Sequence, residues 1–246
     1  MRTHLEPAYV LHQRPYRDTS RILELFTRDH GRVSLFARGA RGGRKGTAAL
    51  SSMLQPFNRL LVSWSARGDA GQLTGAEFDG GVRLMPPAQL VNGFYLNELL
   101  LNLFTRHDPQ PDVFDLYGAT IERLKDGDSP LAHLRRFEKR LLELLGYGLE
   151  LEREALSGAP IEADALYHYR IELGAVRALE VAEGPMMFAG STLLALARED
   201  FADPFVCSEG RRLFRAALDR ILDGRELKTR EVMRALRRGR KPSPGG

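Results

Sequence analysis

The first 80 residues of this 246-residue chain contain five short segments with the composition of β-strands. Turn-forming residues such as His30-Gly31 lie between them, and a helix-sized segment, residues 47–54, separates the third from the fourth. The five segments are residues 8–11, 21–27, 32–38, 57–64 and 72–78. Five short strands with one helical insert predict a small closed barrel of the OB type, with an SH3-like barrel as the alternative.

The hydrophobic period changes after Pro86-Pro87, where apolar residues begin to recur at helical spacing. Three helices that should pack together and on the barrel are predicted at residues 88–106, 112–125 and 131–145. A hairpin turned at Gly174 follows, and further helices are predicted at residues 191–198, 208–222 and 229–237. The predicted fold class is α+β: an OB-fold nucleic-acid-binding domain at 1–80 and a mainly helical domain at 81–238, with a hairpin subdomain at about 149–190 and a disordered basic tail at 239–246.

The third predicted strand has one apolar and one polar face. Val33, Leu35 and Ala37 alternate along it, which leaves Arg32, Phe36 and Arg38 on the opposite face. The glycine-rich loop that follows, residues 39–46, adds Arg41, Arg44 and Lys45. An Arg-Phe-Arg face beside a mobile cationic loop suits single-stranded nucleic acid, because its phosphates attract cations and its bases stack on aromatic rings. The alternative is a solvated outer face.

Charge is unevenly distributed, although the net charge is only +4. Residues 1–80 hold 12 Lys and Arg against 7 Asp and Glu, residues 225–241 hold 8 against 2, and the middle holds 16 against 23. Two basic ends around an acidic middle indicate a polyanionic partner held at the ends. The C-terminal residues predicted to contact phosphates are Lys228, Arg230, Arg234, Arg237 and Arg238.

The sequence contains no pattern typical of a catalytic or metal site. The glycine-rich loop is not a P-loop, since Arg44 precedes Lys45 and Gly46 follows it. The 6 histidines are scattered and Cys207 is the only cysteine, so neither zinc nor a disulfide is expected. The N-terminus lacks the apolar segment of a signal peptide, and no apolar run approaches the length of a membrane span. We predict a cytosolic binding protein with no metal or other cofactor, not an enzyme.

The predicted helix at residues 131–145 places two arginines beside an apolar stripe. An arginine next to an apolar groove suits an acidic peptide that ends in hydrophobic residues. The two arginines point about 100° apart, so the sequence leaves open which one faces the groove. The alternative is that both form surface ion pairs with Glu138 or Glu143. The residues predicted to bind this partner are Phe94, Arg135, Arg136, Phe137 and Leu141.

Several segments, taken in order and at their spacing, resemble the RecO family of bacterial recombination mediators. Residues 8–20 read AYVLHQRPYRDTS, residues 30–41 read HGRVSLFARGAR and residues 134–148 read LRRFEKRLLELLGYG. Shorter matches are LQPF at 54–57, GFYLNELL at 93–100, YHYRIELG at 167–174 and LKTRE at 227–231. The resemblance covers nearly the whole chain.

The resemblance implies an OB fold followed by a helical domain, with binding of single- and double-stranded DNA and annealing of complementary strands. It also implies cooperation with RecR to load the recombinase RecA onto DNA coated by single-strand-binding protein, whose acidic C-terminal tail is the expected peptide partner. Some members of the family carry a four-cysteine zinc module in the region that matches residues 149–190. This chain has no cysteine there, so a zinc-free hairpin is expected. We expect a nucleoid-associated monomer; the alternatives are a general OB-type RNA-binding factor and a metal-dependent nuclease.

Overall fold

The computed structural model describes residues 2–40, 45–66, 70–178 and 184–239, without the side chains of 45–48 and 237–239. The chain divides into two compact units. The first combines the residues up to Asp128 with those from Glu226 onward, and the second spans residues 129–225. The second unit is therefore inserted into the sequence of the first. This division differs from the predicted domain boundary near residue 80, because helices that follow the barrel pack on it within the first unit.

The first unit contains a closed five-stranded barrel, which confirms the predicted OB fold. The strand order around the barrel is one-two-three-five-four, with the third and fifth strands parallel and the other pairs antiparallel. A short helix lies between the third and fourth strands in the sequence, where the insert is predicted. The elements are β1 (Arg2–Tyr16), β2 (Ser20–Thr27), β3 (Gly31–Ala37), α1 (Lys45–Met53), β4 (Arg59–Ala66) and β5 (Ala70–Phe78).

Alternating apolar residues build the interior of the barrel. Val33, Leu35 and Ala37 of β3 are at most 3% exposed and pack in one cluster with Trp64 of β4 and apolar residues of the other strands. This places the apolar face of residues 32–38 in the core, as the sequence predicts, and turns Phe36 outward.

Strand β1 is much longer than the predicted segment 8–11. Its register shifts between Thr3 and Glu6 and again between Val10 and His12, and such bulges bend a strand. The bend lets β1 pair with β4 through its first half and with β2 through its second half, which closes the barrel. Residues at both ends of β1 are polar, so the apolar run at 8–11 does not reveal the full length of the strand.

Six helices and three short strands complete the described chain. The helices are α2 (Leu90–Leu103), α3 (Pro111–Asp126), α4 (Pro130–Leu144), α5 (Gly190–Ala197), α6 (Pro204–Ile221) and α7 (Lys228–Gly239), and one 3-10 turn, Pro87–Gln89, precedes α2. Helices α2, α3 and α7 belong to the first unit. The sequence predicts that α4 packs with α2 and α3, but it belongs to the second unit, where it packs on α6.

Aromatic side chains hold α3 on the outer surface of the barrel. The ring of Tyr9 lies 5.3 Å from that of Phe114 and 5.0 Å from that of Tyr117, and Phe26 lies 5.7 Å from Phe114. The hydroxyl of Tyr117 donates to the side-chain oxygen of Asn97 on α2 at 2.7 Å, and burial raises the pKa of this tyrosine. The helices therefore cover part of the barrel and leave Phe36 of β3 partly exposed.

The second unit contains the predicted hairpin, extended by a third strand. The strands are β6 (Leu166–Arg170), β7 (Gly174–Arg177) and β8 (Met187–Ala189), in the order β7-β6-β8. Tyr167 and Tyr169 of β6 are buried together with Phe188 of β8. The guanidinium carbon of Arg212 on α6 lies 4.1 Å from the centroid of the Phe188 ring. Aromatic packing thus holds this small sheet against α6.

Candidate nucleic-acid interface

The outer face of β3 carries one member of a partly exposed aromatic pair. Phe36 alternates with buried residues, so its ring points away from the barrel interior. Tyr16, the last residue of β1, lies beside it, with the ring centroids 5.2 Å apart. The guanidinium carbon of Arg17 lies 5.2 Å from the centroid of the Tyr16 ring. Two adjacent rings and a cation over one of them offer surfaces on which bases stack and a charge that attracts phosphate.

The strand register places one residue from each of four strands in a row that contains Phe36. Arg14 of β1 faces Ile22 of β2, Ile22 faces Phe36, and Phe36 faces Gln72 of β5. The side-chain nitrogen of Gln72 donates to the backbone oxygen of Phe36 at 2.8 Å. Phe36 and Gln72 also line a shallow cleft of about 450 Å³, together with Arg2. The row and the cleft form a continuous surface across the barrel, which we call the barrel face.

The barrel face is bordered by arginines that are open to solvent. Arg38 follows β3, and it is exposed together with Arg2, Arg14 and Arg17. Exposed guanidinium groups around aromatic rings match the chemistry of a surface that binds single strands without strong sequence preference. Of the predicted residues, the structure therefore brings Phe36 and Arg38 together on this surface.

Arg32 does not lie on the exposed part of this surface. Its Nη1 donates to the backbone oxygens of Leu101 and Phe104 at 2.6 Å each, and its Nη2 lies 3.5 Å from a carboxylate oxygen of Glu24. Burial lowers the pKa of Arg32. The sequence places Arg32 on the same side as Phe36, but the end of α2 covers it. Arg32 thus joins the barrel to α2, which corrects its predicted role as an exposed phosphate contact.

The N-terminus of α7 is fixed to α2 by a carboxylate. Glu98 accepts hydrogen bonds from the backbone nitrogens of Lys228 and Thr229 at 2.8 and 2.9 Å, and from the Thr229 hydroxyl at 2.5 Å. Lys228 and Arg234 are exposed on this helix, whereas Arg230 is only 9% exposed. Lys228 and Arg234 remain candidates for phosphate contact, and the burial of Arg230 corrects its predicted exposure. The side chains of Arg41, Arg44, Lys45, Arg237 and Arg238 lie outside the described part of the structure.

The predicted apolar groove on α4 is not open in this structure. Phe137 and Leu141 are fully buried in the core of the second unit. Arg135 is 4% exposed and donates to Glu138 at 2.8 Å, so it forms a buried version of the predicted alternative ion pair. Phe94 belongs to the first unit, 41% exposed, with its ring 5.1 Å from that of Phe57. Of the four predicted residues on α4, only Arg136 reaches solvent.

Arg136 belongs to a cluster of three cations around one carboxylate. Its Nε donates to Glu199 at 2.9 Å, and Arg140 donates from two nitrogens to the two oxygens of the same carboxylate at 2.9 and 3.0 Å. Lys139 lies 3.8 Å from it. Burial opposes ionisation of Glu199, but the hydrogen bond and charge of Arg140, with the charge of Lys139 and the hydrogen bond from Arg136, outweigh it and lower its pKa. Glu199 is therefore ionised at neutral pH and balances part of this positive charge.

Sequence reasoning missed Tyr16, Arg17 and Glu199. The first two lie in the segment RPYR at residues 14–17, where a tyrosine stands between two arginines. That pattern matches the one that drew attention to Phe36, so the sequence carried the information. Glu199 is 63 residues from Arg136, and no local pattern links the two.

The described residues contain no group of three or more His, Cys, Asp or Glu side chains placed to hold a metal ion. Burial raises the pKa of the Cys207 thiol, and its sulfur donates to the backbone oxygen of Phe201. In the described part of the chain, no helix is both long and apolar enough to cross a membrane.

Comparison with known proteins gives matches along both parts of the chain. The family model "Recombination protein O N terminal" matches residues 1–80, and "Recombination protein O C terminal" matches residues 88–231. The DNA repair protein RecO of Methylococcus capsulatus is 48% identical over 94% of this chain and 93% of its own length. The proteins of the same name from Nitrosococcus oceani and Alkalilimnicola ehrlichii are 45% and 46% identical, over 97% and 95% of this chain and 96% and 92% of their own lengths. With two family models across the barrel and the helical region, and with this identity over almost the full length of the relatives, the chain belongs to the RecO family.

Proposed function

We propose that this protein is a DNA-binding recombination mediator that acts in DNA repair by binding and not by catalysis. The observation that carries the proposal is the Tyr16–Phe36 aromatic pair on the outer face of an OB barrel, with exposed arginines around it. Its relatives are named as DNA repair proteins. The barrel face binds single strands by stacking and phosphate contact, and the exposed cations of α7 add contacts to single or double strands.

The mediator role further requires protein partners. We propose that the protein anneals complementary strands and, with RecR, helps to load RecA onto DNA that single-strand-binding protein covers, in the cytoplasm at the nucleoid. The acidic tail of the single-strand-binding protein is the ligand proposed for α4. Arg136 is the residue of this helix that supports the proposal best, because it is 35% exposed at its side chain and already holds a carboxylate.

The test is binding of a fluorescent single-stranded oligonucleotide to the full chain, followed by anisotropy. Loss of one stacking contact costs ~1–3 kcal/mol, so Phe36→Ala and Tyr16→Ala should each weaken binding by about 5- to 150-fold. Tyr147→Ala serves as the matched control, because Tyr147 is an aromatic residue of the second unit that is 57% exposed. Equal binding by the Phe36 variant and the control would contradict the barrel face as the site. The same titration with RNA of the same sequence separates a DNA mediator from an RNA-binding factor, which would prefer the RNA.

A further inference from the structure

The cluster around Glu199 has the form of an anion-binding site that is already filled. Arg136, Lys139 and Arg140 are spaced three and four residues apart on α4, so they share one face of the helix. Arg136 and Arg140 hydrogen-bond the carboxylate of Glu199, which is 17% exposed at its side chain, whereas Lys139 lies 3.8 Å from it and donates its hydrogen bond to Glu143 at 2.7 Å. The side chains of Arg136 and Arg140 are 35% and 51% exposed, so a ligand from solution can reach both guanidinium groups.

The backbone at Glu199 does not favour a glutamate. Helix α5 ends in a Schellman motif. The backbone nitrogen of Glu199 donates to the backbone oxygen of Leu196, and the backbone nitrogen of Asp200 donates to the backbone oxygen of Ala195. Glu199 occupies the left-handed position of this motif with φ +56, where glycine is the usual residue. A side chain at this position is strained, yet here it directs a carboxylate into the cations of α4. The turn itself is compatible with glycine, so the turn does not require the carboxylate of Glu199.

Arg136 is also held by contacts other than the carboxylate. Its Nη2 lies 3.3 Å from the backbone oxygen of Glu199, and its guanidinium carbon lies 5.8 Å from the centroid of the Phe201 ring. Neither contact involves the Glu199 carboxylate, so displacement of that carboxylate alone would leave both in place. In the structure, the two guanidinium groups are occupied by a carboxylate of the same unit.

We propose that Glu199 is an internal competitor for this site, and that a carboxylate of an acidic peptide displaces it when the partner binds to α4. The inference rests on the proposed binding of an acidic tail and adds a mechanism that limits its affinity. A peptide carboxylate must replace the hydrogen bonds of Arg136 and Arg140 to Glu199 before it gains its own. This competition makes peptide binding weaker than it would be without Glu199. It also favours release of the bound peptide.

The test compares peptide binding by the wild type, Glu199→Gln and Glu199→Gly. The probe is a fluorescein-labelled peptide with several aspartates followed by apolar residues and a free C-terminal carboxylate. Charge-assisted hydrogen bonds are stronger than hydrogen bonds between neutral groups. Removing the competing carboxylate should therefore tighten peptide binding about tenfold. Glu199→Gly removes the same carboxylate and relieves the left-handed backbone, so it provides a second variant if the glutamine variant fails to fold. Arg136→Ala, added to either variant, should abolish the gain.

The matched control is Glu162→Gln. Glu162 also binds an arginine of the second unit through both oxygens, at 2.7 Å each to Arg177, so its removal changes the net charge equally. A gain confined to the Glu199 variants supports the competitor. Peptide binding that is equal or weaker in both Glu199 variants overturns it and leaves the proposed tail binding intact. Absence of binding in the wild type and in all variants overturns both proposals.

Discussion

Replacement of Gly31 by alanine should destabilise the first unit strongly. Gly31 opens β3 with φ +64, and a Cβ built on it would lie 2.5 Å from the carbonyl carbon of Asp108 and closer still to its oxygen. The left-handed backbone costs an L-residue ~1–2 kcal/mol, and forcing an extra carbon into a packed site costs ~1–3 kcal/mol more. The obstacle is backbone, which cannot rotate away as a side chain can. The expected loss is therefore about 2–5 kcal/mol, a large part of the ~5–15 kcal/mol that stabilises a typical protein.

The control for this prediction is Gly127→Ala. Gly127 has φ +82 at the end of α3, with no atom within 4 Å of an added Cβ, so only the backbone term applies. The assay is urea unfolding followed by the fluorescence of Trp64, the only tryptophan, which lies in the barrel core. The difference between the two losses in the free energy of unfolding measures the cost of placing a Cβ against the backbone of Asp108. Equal losses would refute the steric argument.

Two further predictions concern charge. Each phosphate contact on a single strand contributes about 0.7 to the slope of log K against log salt concentration. Arg17→Ala combined with Arg38→Ala should therefore flatten this slope for single-stranded DNA by about 1.4. An unchanged slope would show that neither arginine contacts phosphate. Because the pKa of Glu199 is lowered by folding from its ordinary value of 4.5, the stability that this carboxylate contributes is fully present above that value and is lost as the pH falls through the lowered pKa. In urea unfolding, the difference in stability between wild type and Glu199→Gln should therefore shrink below about pH 4; a difference that is constant with pH would contradict the ion-pair cluster.

The barrel could be predicted from sequence because its strands obey a simple local rule. Alternation of Val33, Leu35 and Ala37 identifies both the strand and its inner face, and it leaves Phe36 as the outward residue. The same rule placed Arg32 beside Phe36 but carried no information about what lies above the strand. The end of α2 is nearly 70 residues away in sequence and covers Arg32, so that residue is structural.

In the helical region, the sequence predicts the helices but not the surroundings of their side chains. Periodicity found α4 and its apolar stripe, but it could not separate Arg135 from Arg136, which differ only in helix phase. Packing on α6 buries Arg135 and leaves Arg136 at the surface. The partner of Arg136 is Glu199, whose position depends on the turn after α5. Contacts between distant residues of this kind are set by tertiary structure, so a local pattern does not contain them.

The hydrogen bonds from α7 to Glu98 have a consequence for how the protein is made. Glu98 and Lys228 are separated by 130 residues, and the whole second unit lies between them. Because the ribosome builds the chain from its N-terminus, every residue of the second unit is synthesised before α7, and that unit can fold before α7 reaches α2. A nascent chain halted before residue 226 therefore carries the complete second unit but a first unit without its last helix. The amino-terminal unit, begun first, is the one finished last.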